Sequence, residues 1–288
     1  RGLGDVYKRQ ETSLWRQAME KAPRDARPIW NIANAIAWDK NVSPRQLDVG
    51  LALFEKALSL NHAIEENKSR ILRNMGLIHM RKGVYDQALT AFRHSLRIDP
   101  YFTEVRYDLV SAYMMMGKWD AASEQLDTIL SQAEEDVKPD YYKMKGYILL
   151  WQQRPEMAMK FLEKALAAEP QNPDVQLNTG VALDRLGRHA EALVFLEAAR
   201  NIAPRKIRYS YDLFENSARA GNMEKARRYA RQMLATFSIG FVFDGLDSMR
   251  ANFQTAPIDL AYIIPVVQKE TAHQLEEMEA LAGTGFNS

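Results

Sequence analysis

A spacing of 34 residues recurs along most of this chain of 288 residues. Gly83 and Gly117 are one such step apart. Five further pairs keep this spacing: Gly187 and Gly221, Ala88 and Ala122, Ala158 and Ala192, Ala192 and Ala226, Pro170 and Pro204. One irregularity is an insertion of two residues near Val137 and Lys138. Self-similarity at a fixed period of this length predicts a repeat architecture, in which each repeat is one small supersecondary unit.

Each period contains the pattern of two helices. Between residues 174 and 188 apolar side chains recur at helical intervals, and Gly187 then provides a stop. A second apolar set runs over residues 190–202, and Pro204 ends it because proline cannot continue a helix. A single pair of helices cannot cover its own apolar side, so neighbouring pairs must stack. The sequence therefore predicts one continuous all-α solenoid.

Small residues mark the places where the two helices of a repeat are predicted to cross. In three repeats the first helix has a glycine near its middle, and the second helix has an alanine near its start and a larger apolar residue one turn later. These sets are Gly76, Gly146 and Gly180; Ala88, Ala158 and Ala192; and Phe92, Leu162 and Leu196. Small side chains let two backbones approach closely, and the larger residues then fill the remaining space.

One family pattern fits these repeats. Within residues 173–206 its members are Gly180, Ala192, Leu196, Ala199 and Pro204. This spacing resembles the tetratricopeptide repeat, or TPR, and the resemblance implies a right-handed superhelical solenoid of helix-turn-helix repeats over residues 26–240. The six repeats are 26–64, 69–102, 103–136, 139–172, 173–206 and 207–240. The last repeat departs from the family, with Phe214 at a position for a small residue and Ser238 at a position for proline.

The two ends of the chain lack the period. Residues 5–10 (DVYKRQ) resemble the translation of a sequencing adaptor, so we predict that residues 1–10 are a processing scar. The alternative is an ordinary charged N-terminal tail. Residues 11–25 match the second helix of a truncated repeat. For residues 241–288 we predict a kinked helix and tail that cap the end of the solenoid. The alternative role of that helix is partner binding.

Composition argues against several kinds of site. The sequence has 38 lysines and arginines and 37 aspartates and glutamates, a net charge of +1, whereas nucleic-acid-binding domains usually carry a basic excess. It has no cysteine for a disulfide, a thiolate zinc site or a thiol nucleophile. Its five histidines lack metal-ligand spacing. No apolar stretch approaches the roughly 20 residues of a membrane-spanning helix. We therefore expect no catalysis, cofactor, metal or nucleic-acid partner for this chain.

The resemblance to TPR proteins implies a concave groove lined by the first helix of each repeat. The candidate partner-binding residues at groove positions are Trp30, Asn31, Asn34, Arg70, Arg73, Asn74, Tyr107, Lys143, Tyr147, Asn178, Arg185 and Tyr211. Asparagine amides donate and accept hydrogen bonds, aromatic rings offer contact area, and arginine offers forked donors. These residue types predict a groove for a peptide segment or a partner protein. The alternative is that the asparagines only help the helices to pack.

Some TPR domains bind a C-terminal carboxylate through a clamp of lysine, asparagine and arginine. Here Asn34 and Asn74 lie at two of the clamp positions. The cationic positions are occupied by Trp30, Glu104 and Asp108. Acidic groups at these positions would repel a carboxylate. We therefore do not expect a clamp of this kind.

A second, narrower resemblance concerns residues 14–33. This segment is similar to the junction at which bacterial multi-pass membrane proteins of glycosyltransferase-like type continue into a C-terminal TPR domain. The resemblance implies a membrane domain upstream and a periplasmic or other extracytoplasmic location for the repeats. Free-standing TPR proteins begin in a similar way, and a cytoplasmic location is the alternative. Two functions thus remain open, a peptide-binding scaffold and the extramembrane arm of a membrane enzyme.

Overall fold

The computed structural model describes residues 25–60, 67–132 and 138–237, together with positions 17, 20, 21, 242, 265, 267–273 and 276. Between Ala26 and Thr236 the described residues form twelve helices, so the predicted all-α class is confirmed. They are α1 (Ala26–Trp38), α2 (Pro44–Ser59), α3 (Lys68–Arg81), α4 (Tyr85–Ile98), α5 (Thr103–Met115), α6 (Trp119–Gln132), α7 (Pro139–Trp151), α8 (Pro155–Ala168), α9 (Pro173–Arg185), α10 (His189–Ile202), α11 (Ile207–Arg219) and α12 (Met223–Thr236). To within one residue, each predicted repeat contains one consecutive pair of these helices.

The helices form two compact units, residues 1–134 and residues 135–288. The first unit contains α1 to α6 and the second contains α7 to α12. In both units the two helices of a pair pack on each other, and the first helix of a pair packs on the first helix of the next pair. The stacking expected of neighbouring repeats therefore occurs within each unit.

Glycine ends four of the first helices, as the sequence predicts. Gly83, Gly117, Gly187 and Gly221 have φ between 68° and 76°, a left-handed conformation that glycine adopts without strain. After α9, for example, the N–H of Gly187 donates to the carbonyl of Asp184, and the N–H of Arg188 donates to that of Leu183. These bonds satisfy carbonyls that the helix end leaves open. At the equivalent place after α7 stands Gln153, whose φ is 60°.

The glycines in the middle of the first helices are required by close contact with a large side chain. A Cβ on Gly76 would lie 2.4 Å from the ring of Phe92, and a Cβ on Gly180 would lie 2.6 Å from Leu196. Gly146 has the same relation to Leu162. The sequence placed the alanines of the second helices opposite these glycines. The structure shows that the larger residue one turn later is the nearest neighbour.

The core of the second unit includes residues beyond the repeats. Val242 and Val267, which follow the last repeat, are fully buried there. They share this core with Phe214 of the last repeat, which is also fully buried. Arg231 on α12 donates to Glu270 with an N–O distance of 2.8 Å. Residues 267–273 thus contact the core of the second unit. The rest of the predicted capping segment lies outside the described residues, as do Ser238, the predicted scar and most of residues 11–25.

Candidate functional site

In the first unit, two predicted asparagines meet between neighbouring first helices. The side-chain nitrogen of Asn74 on α3 donates to the side-chain oxygen of Asn34 on α1, at 2.7 Å. Asn74 is only 7% exposed, whereas Asn34 is half-buried. Among the described residues, no acceptor faces the side-chain nitrogen of Asn34. The pair therefore leaves one amide donor available at the surface formed by α1, α3 and α5, which we call the α1–α3–α5 surface.

Arg73 lies beside this pair and joins three elements of the first unit. Its Nε donates to Oδ2 of Asp108 on α5 at 2.6 Å. Its guanidinium carbon is 5.9 Å from the centre of the Trp38 ring and 5.6 Å from that of Phe102. Burial raises the pKa of Asp108, although the hydrogen bond and charge of Arg73 oppose this effect. Arg73 is thus fixed by a buried carboxylate and two rings.

Trp38 adds an exposed aromatic ring to the α1–α3–α5 surface. It is 57% exposed, and it follows Asn34 by four residues on α1, so both side chains lie on one face of that helix. An exposed ring next to an open amide donor can contact a partner's side chain while the amide pairs with the partner's backbone.

The other predicted residues of the first unit have mixed environments. Arg70 is exposed, and Asn31 and Tyr107 are half-buried. Trp30 packs against the core of the first unit, and its indole nitrogen is buried without a hydrogen-bond partner. The structure thus brings Asn34, Arg73 and Asn74 together and directs Trp30 inward.

The corresponding surface of the second unit, formed by α7, α9 and α11, is a network of paired charges. Asp184 is 8% exposed and accepts three hydrogen bonds. Nδ1 of His189 and Nδ2 of Asn216 donate to its Oδ1, each at 2.7 Å, and Arg219 donates to its Oδ2 at 3.1 Å. Arg219 also pairs with Glu215, at 2.5 Å.

Asp212 belongs to the same network but has poorer partners. It is 4% exposed, and its Oδ2 lies 3.6 Å from Nε of Arg208, an ion pair that is longer than a normal hydrogen bond. Burial raises the pKa of Asp212 to about 6. The charge of Asp184 adds to this increase, while the arginines Arg208 and Arg185 oppose it.

Three predicted residues of the second unit are bound internally. Lys143 pairs with Asp140; burial alone would lower the pKa of Lys143, but the hydrogen bond and charge of Asp140 raise it. A guanidinium nitrogen of Arg185 donates to the carbonyl of Leu150, and burial lowers the pKa of Arg185. The Tyr147 ring packs edge-on against another ring, that of Trp151, at 6.0 Å.

Two predicted residues of the second unit are buried. Asn178 is 6% exposed. Tyr211 is fully buried, its hydroxyl donates to the carbonyl of Val242 at 2.7 Å, and burial raises its pKa. The prediction that Tyr211 binds a partner needs correction, because this side chain has no surface left for contact. Its carbonyl partner lies in a segment without the repeat period, so the repeat pattern gave no signal for the contact.

Several residues of these two surfaces were not among the predicted site residues. They are Trp38, Asp108, Asp184, Asp212, Glu215 and Arg219. All six lie at groove positions of their repeats, so a signal was present in the spacing. Residue type alone did not identify the five charged residues among them, because an acid or an arginine is equally common on a solvated helix face.

Two further properties of the described residues concern metal-binding clusters and membrane-spanning helices. Within them, no three histidine, aspartate or glutamate side chains are arranged to hold a metal ion. No helix among them is both long and apolar enough to cross a bilayer.

Comparison with known families identifies the repeats. Residues 79–146 and 149–213 match the family model for the tetratricopeptide repeat. The structure of YrrB, described as a TPR protein with an unusual peptide-binding site, has a TM-score of 0.52 and 20% identity over 68% of this chain and 97% of YrrB. A structure of MamA from Desulfovibrio magneticus RS-1 has a TM-score of 0.55 and 20% identity over 59% of this chain and 95% of that one. At these identities the likeness shows the TPR fold.

Curated relatives are much longer than the matched region. Protein O-mannosyl-transferase TMTC1 of Homo sapiens is 26% identical over 122 residues, which are 42% of this chain and 13% of the relative. BBSome complex member BBS4 of Bos taurus is 24% identical over 161 residues, which are 55% of this chain and 30% of the relative. The chain thus spans less than a third of the length of these two relatives.

Proposed function

Since this chain belongs to the tetratricopeptide-repeat superfamily and is a protein-interaction scaffold, we propose that its α1–α3–α5 surface binds an extended segment of a partner protein. The observation that carries the proposal is the Asn34–Asn74 pair with its open amide donor, next to the exposed ring of Trp38. An amide donor serves any peptide backbone, because every residue of an extended segment presents a carbonyl.

Arg73 adds order to this surface. Because Asp108 and the two flanking rings hold the guanidinium in place, little side-chain entropy is lost when a partner contacts it. Trp38 supplies apolar area of the kind that dominates binding energy in protein interfaces. A pre-ordered donor set with one exposed ring favours an extended segment that carries one apolar side chain.

The α7–α9–α11 surface is a weaker candidate for the same role. Its arginines and carboxylates already satisfy one another, so a partner would have to replace existing ion pairs. The likeness to YrrB is compatible with peptide binding but does not identify the residues involved. The proposal includes no catalytic step.

The test uses a displayed library of random peptides selected on the full chain, followed by measurement of Kd for the enriched peptides. The double variant Asn34→Ala/Trp38→Ala should weaken binding about tenfold or more, because truncation of an interface tryptophan typically costs more than 1 kcal/mol. Arg73 is left intact, since alanine at that position would leave the buried Asp108 without its partner.

Val49→Ala provides the matched control. Val49 is 48% exposed and lies on α2, the second helix of the first pair. This variant should bind the peptides as tightly as the parent chain. All three proteins should have the same circular dichroism. Equal Kd values for the double variant and the parent, or failure of the selection to enrich any peptide, would contradict the proposal.

A second candidate function is that of the extramembrane arm of a membrane glycosyltransferase-like enzyme. We propose it because residues 14–33 resemble the corresponding junction and because TMTC1 is among the matched relatives. The genomic DNA upstream of the first codon decides the matter. An open frame that encodes several apolar spans of about 20 residues would support this function. An initiator methionine within a few codons would eliminate it.

A further inference from the structure

Three carboxyl groups surround one small cavity in the second unit. Asp184, Asp212 and Glu215 line it together with the apolar side chains of Val181 and Leu196. Each acid is more than nine-tenths buried. The cavity has a volume of about 10 Å³, which is room for one water molecule at most. Three ionised carboxylates in such a space repel one another unless cations or hydrogen-bond donors compensate for them.

Compensation is unequal among the three acids. Asp184 accepts from three donors, and Glu215 is paired with Arg219. Asp212 has Arg208 at 3.6 Å, and neither Oδ2 of the acid nor Nε of the arginine forms a hydrogen bond. A proton that enters the cluster therefore relieves the greatest cost on Asp212, since a buried acceptor without a donor is expensive.

We infer that Asp212 is a proton-binding site of the second unit, and that α11 is held more firmly against α9 and α10 when this carboxyl is protonated than when it is ionised. The inference concerns the chain alone and does not depend on the proposed function. When ionised, Asp212 needs Arg208 as its counter-ion. When protonated, it is a neutral group that can donate into the cavity, and Arg208 is released from the pair.

The charged and titratable groups that face Asp212 come from four helices. Its own helix provides Arg208 and Glu215, and α9 provides Asp184 and Arg185. Arg219, also on α11, reaches the cluster through its pairs with Glu215 and Asp184. From α10, His189 reaches the cluster through its bond to Asp184, and from α7, Tyr147 hydrogen-bonds with Arg208. Burial outweighs the two arginines, so the pKa of Asp212 is raised from its usual 3.8 to about 6.

The sign of the pH dependence follows from this increase. Between pH 4 and pH 6 the folded state binds more protons than the unfolded state, so stability falls as pH rises. With a pKa of about 6 when folded and 3.8 when unfolded, the opening constant of α11 increases about tenfold between pH 5.0 and pH 7.5. Most of the change occurs below pH 6.5.

Hydrogen exchange of the full chain, followed by mass spectrometry, measures this effect locally. Peptides that cover α11 should have protection factors about tenfold higher at pH 5.0 than at pH 7.5, after correction for the intrinsic exchange rates. In Asp212→Asn, which keeps the shape and cannot titrate, the difference should fall below about twofold. Peptides that cover α4 in the first unit should show the same pH dependence of exchange in the parent chain and in Asp212→Asn.

Two further variants distinguish an effect of Asp212 from an effect of other ionisable groups in the second unit. Glu163→Gln removes an exposed carboxylate on α8 and should leave the pH dependence of α11 unchanged. His189→Gln keeps a donor for Asp184 while removing the titratable ring, and it should also leave most of the dependence in place. If Asp212→Asn retains the tenfold difference, or if His189→Gln abolishes it, the inference is wrong.

Carboxyl carbon NMR gives a second test that does not require unchanged folding. One aspartate signal should titrate near pH 6 and should be absent from Asp212→Asn. If all aspartate and glutamate signals titrate below pH 5, Asp212 is not the proton-binding site.

Discussion

The two units place polar residues at the same repeat positions but use them differently. In the first unit an asparagine pair and a fixed arginine lie beside an exposed tryptophan, and an amide donor stays open. In the second unit the equivalent surface consists of acids and arginines that pair with one another and are mostly buried. The difference teaches that a groove position indicates where a side chain lies, while its pairing decides whether a partner can use it.

The largest expected difference between the two units is the loss of unfolding free energy when one member of a polar pair is removed. Asp184→Ala should lower the free energy of unfolding by about 2–3 kcal/mol, because Asn216 and Arg219 lose a buried acceptor. Asn34→Ala should cost about 1 kcal/mol or less, because water can replace the amide at a half-buried position. Urea unfolding of both variants measures the two values. Equal costs would mean that the two surfaces do not differ in the way described.

A smaller effect is expected where the turn after α7 departs from the glycine pattern. Gln153→Gly should stabilise the second unit by about 1 kcal/mol, because a residue other than glycine is strained at φ 60°. Gly117→Gln, at the equivalent turn after α5, should destabilise the first unit by a similar amount, since Gly117 has φ 68°. Thermal unfolding measures both changes, and shifts of the same sign would contradict the assigned turn geometry.

Much of the fold could be predicted from the period alone. Glycine stops, prolines and apolar spacing predict a pair of helices in each period, because these signals act within a few residues of the chain. The pairing of side chains could not be predicted in the same way. Asp184 finds Asn216 and Arg219 in the following repeat, 32 and 35 residues away. Such contacts depend on the register and rotamers of stacked helices, which a single sequence does not display.

The candidate site could be predicted only in part, because the sequence does not display how its side chains pair. The family spacing places Asn34 and Asn74 at two clamp positions of the groove. The hydrogen bond between them is visible only in the structure. Arg208 has a counter-ion on its own helix, since Asp212 follows it by one turn. Tyr211 carries an aromatic ring at a groove position and is nevertheless buried, since its hydroxyl meets Val242 beyond the repeats.

The central claim is that a partner binds the first-helix surface of the first unit in preference to that of the second. Hydrogen exchange of the full chain, with and without a saturating selected peptide, tests it most directly. We predict slower exchange in peptides from α1, α3 and α5 and unchanged exchange in those from α7, α9 and α11. Protection confined to the second unit, or equal protection in both units, would contradict the account.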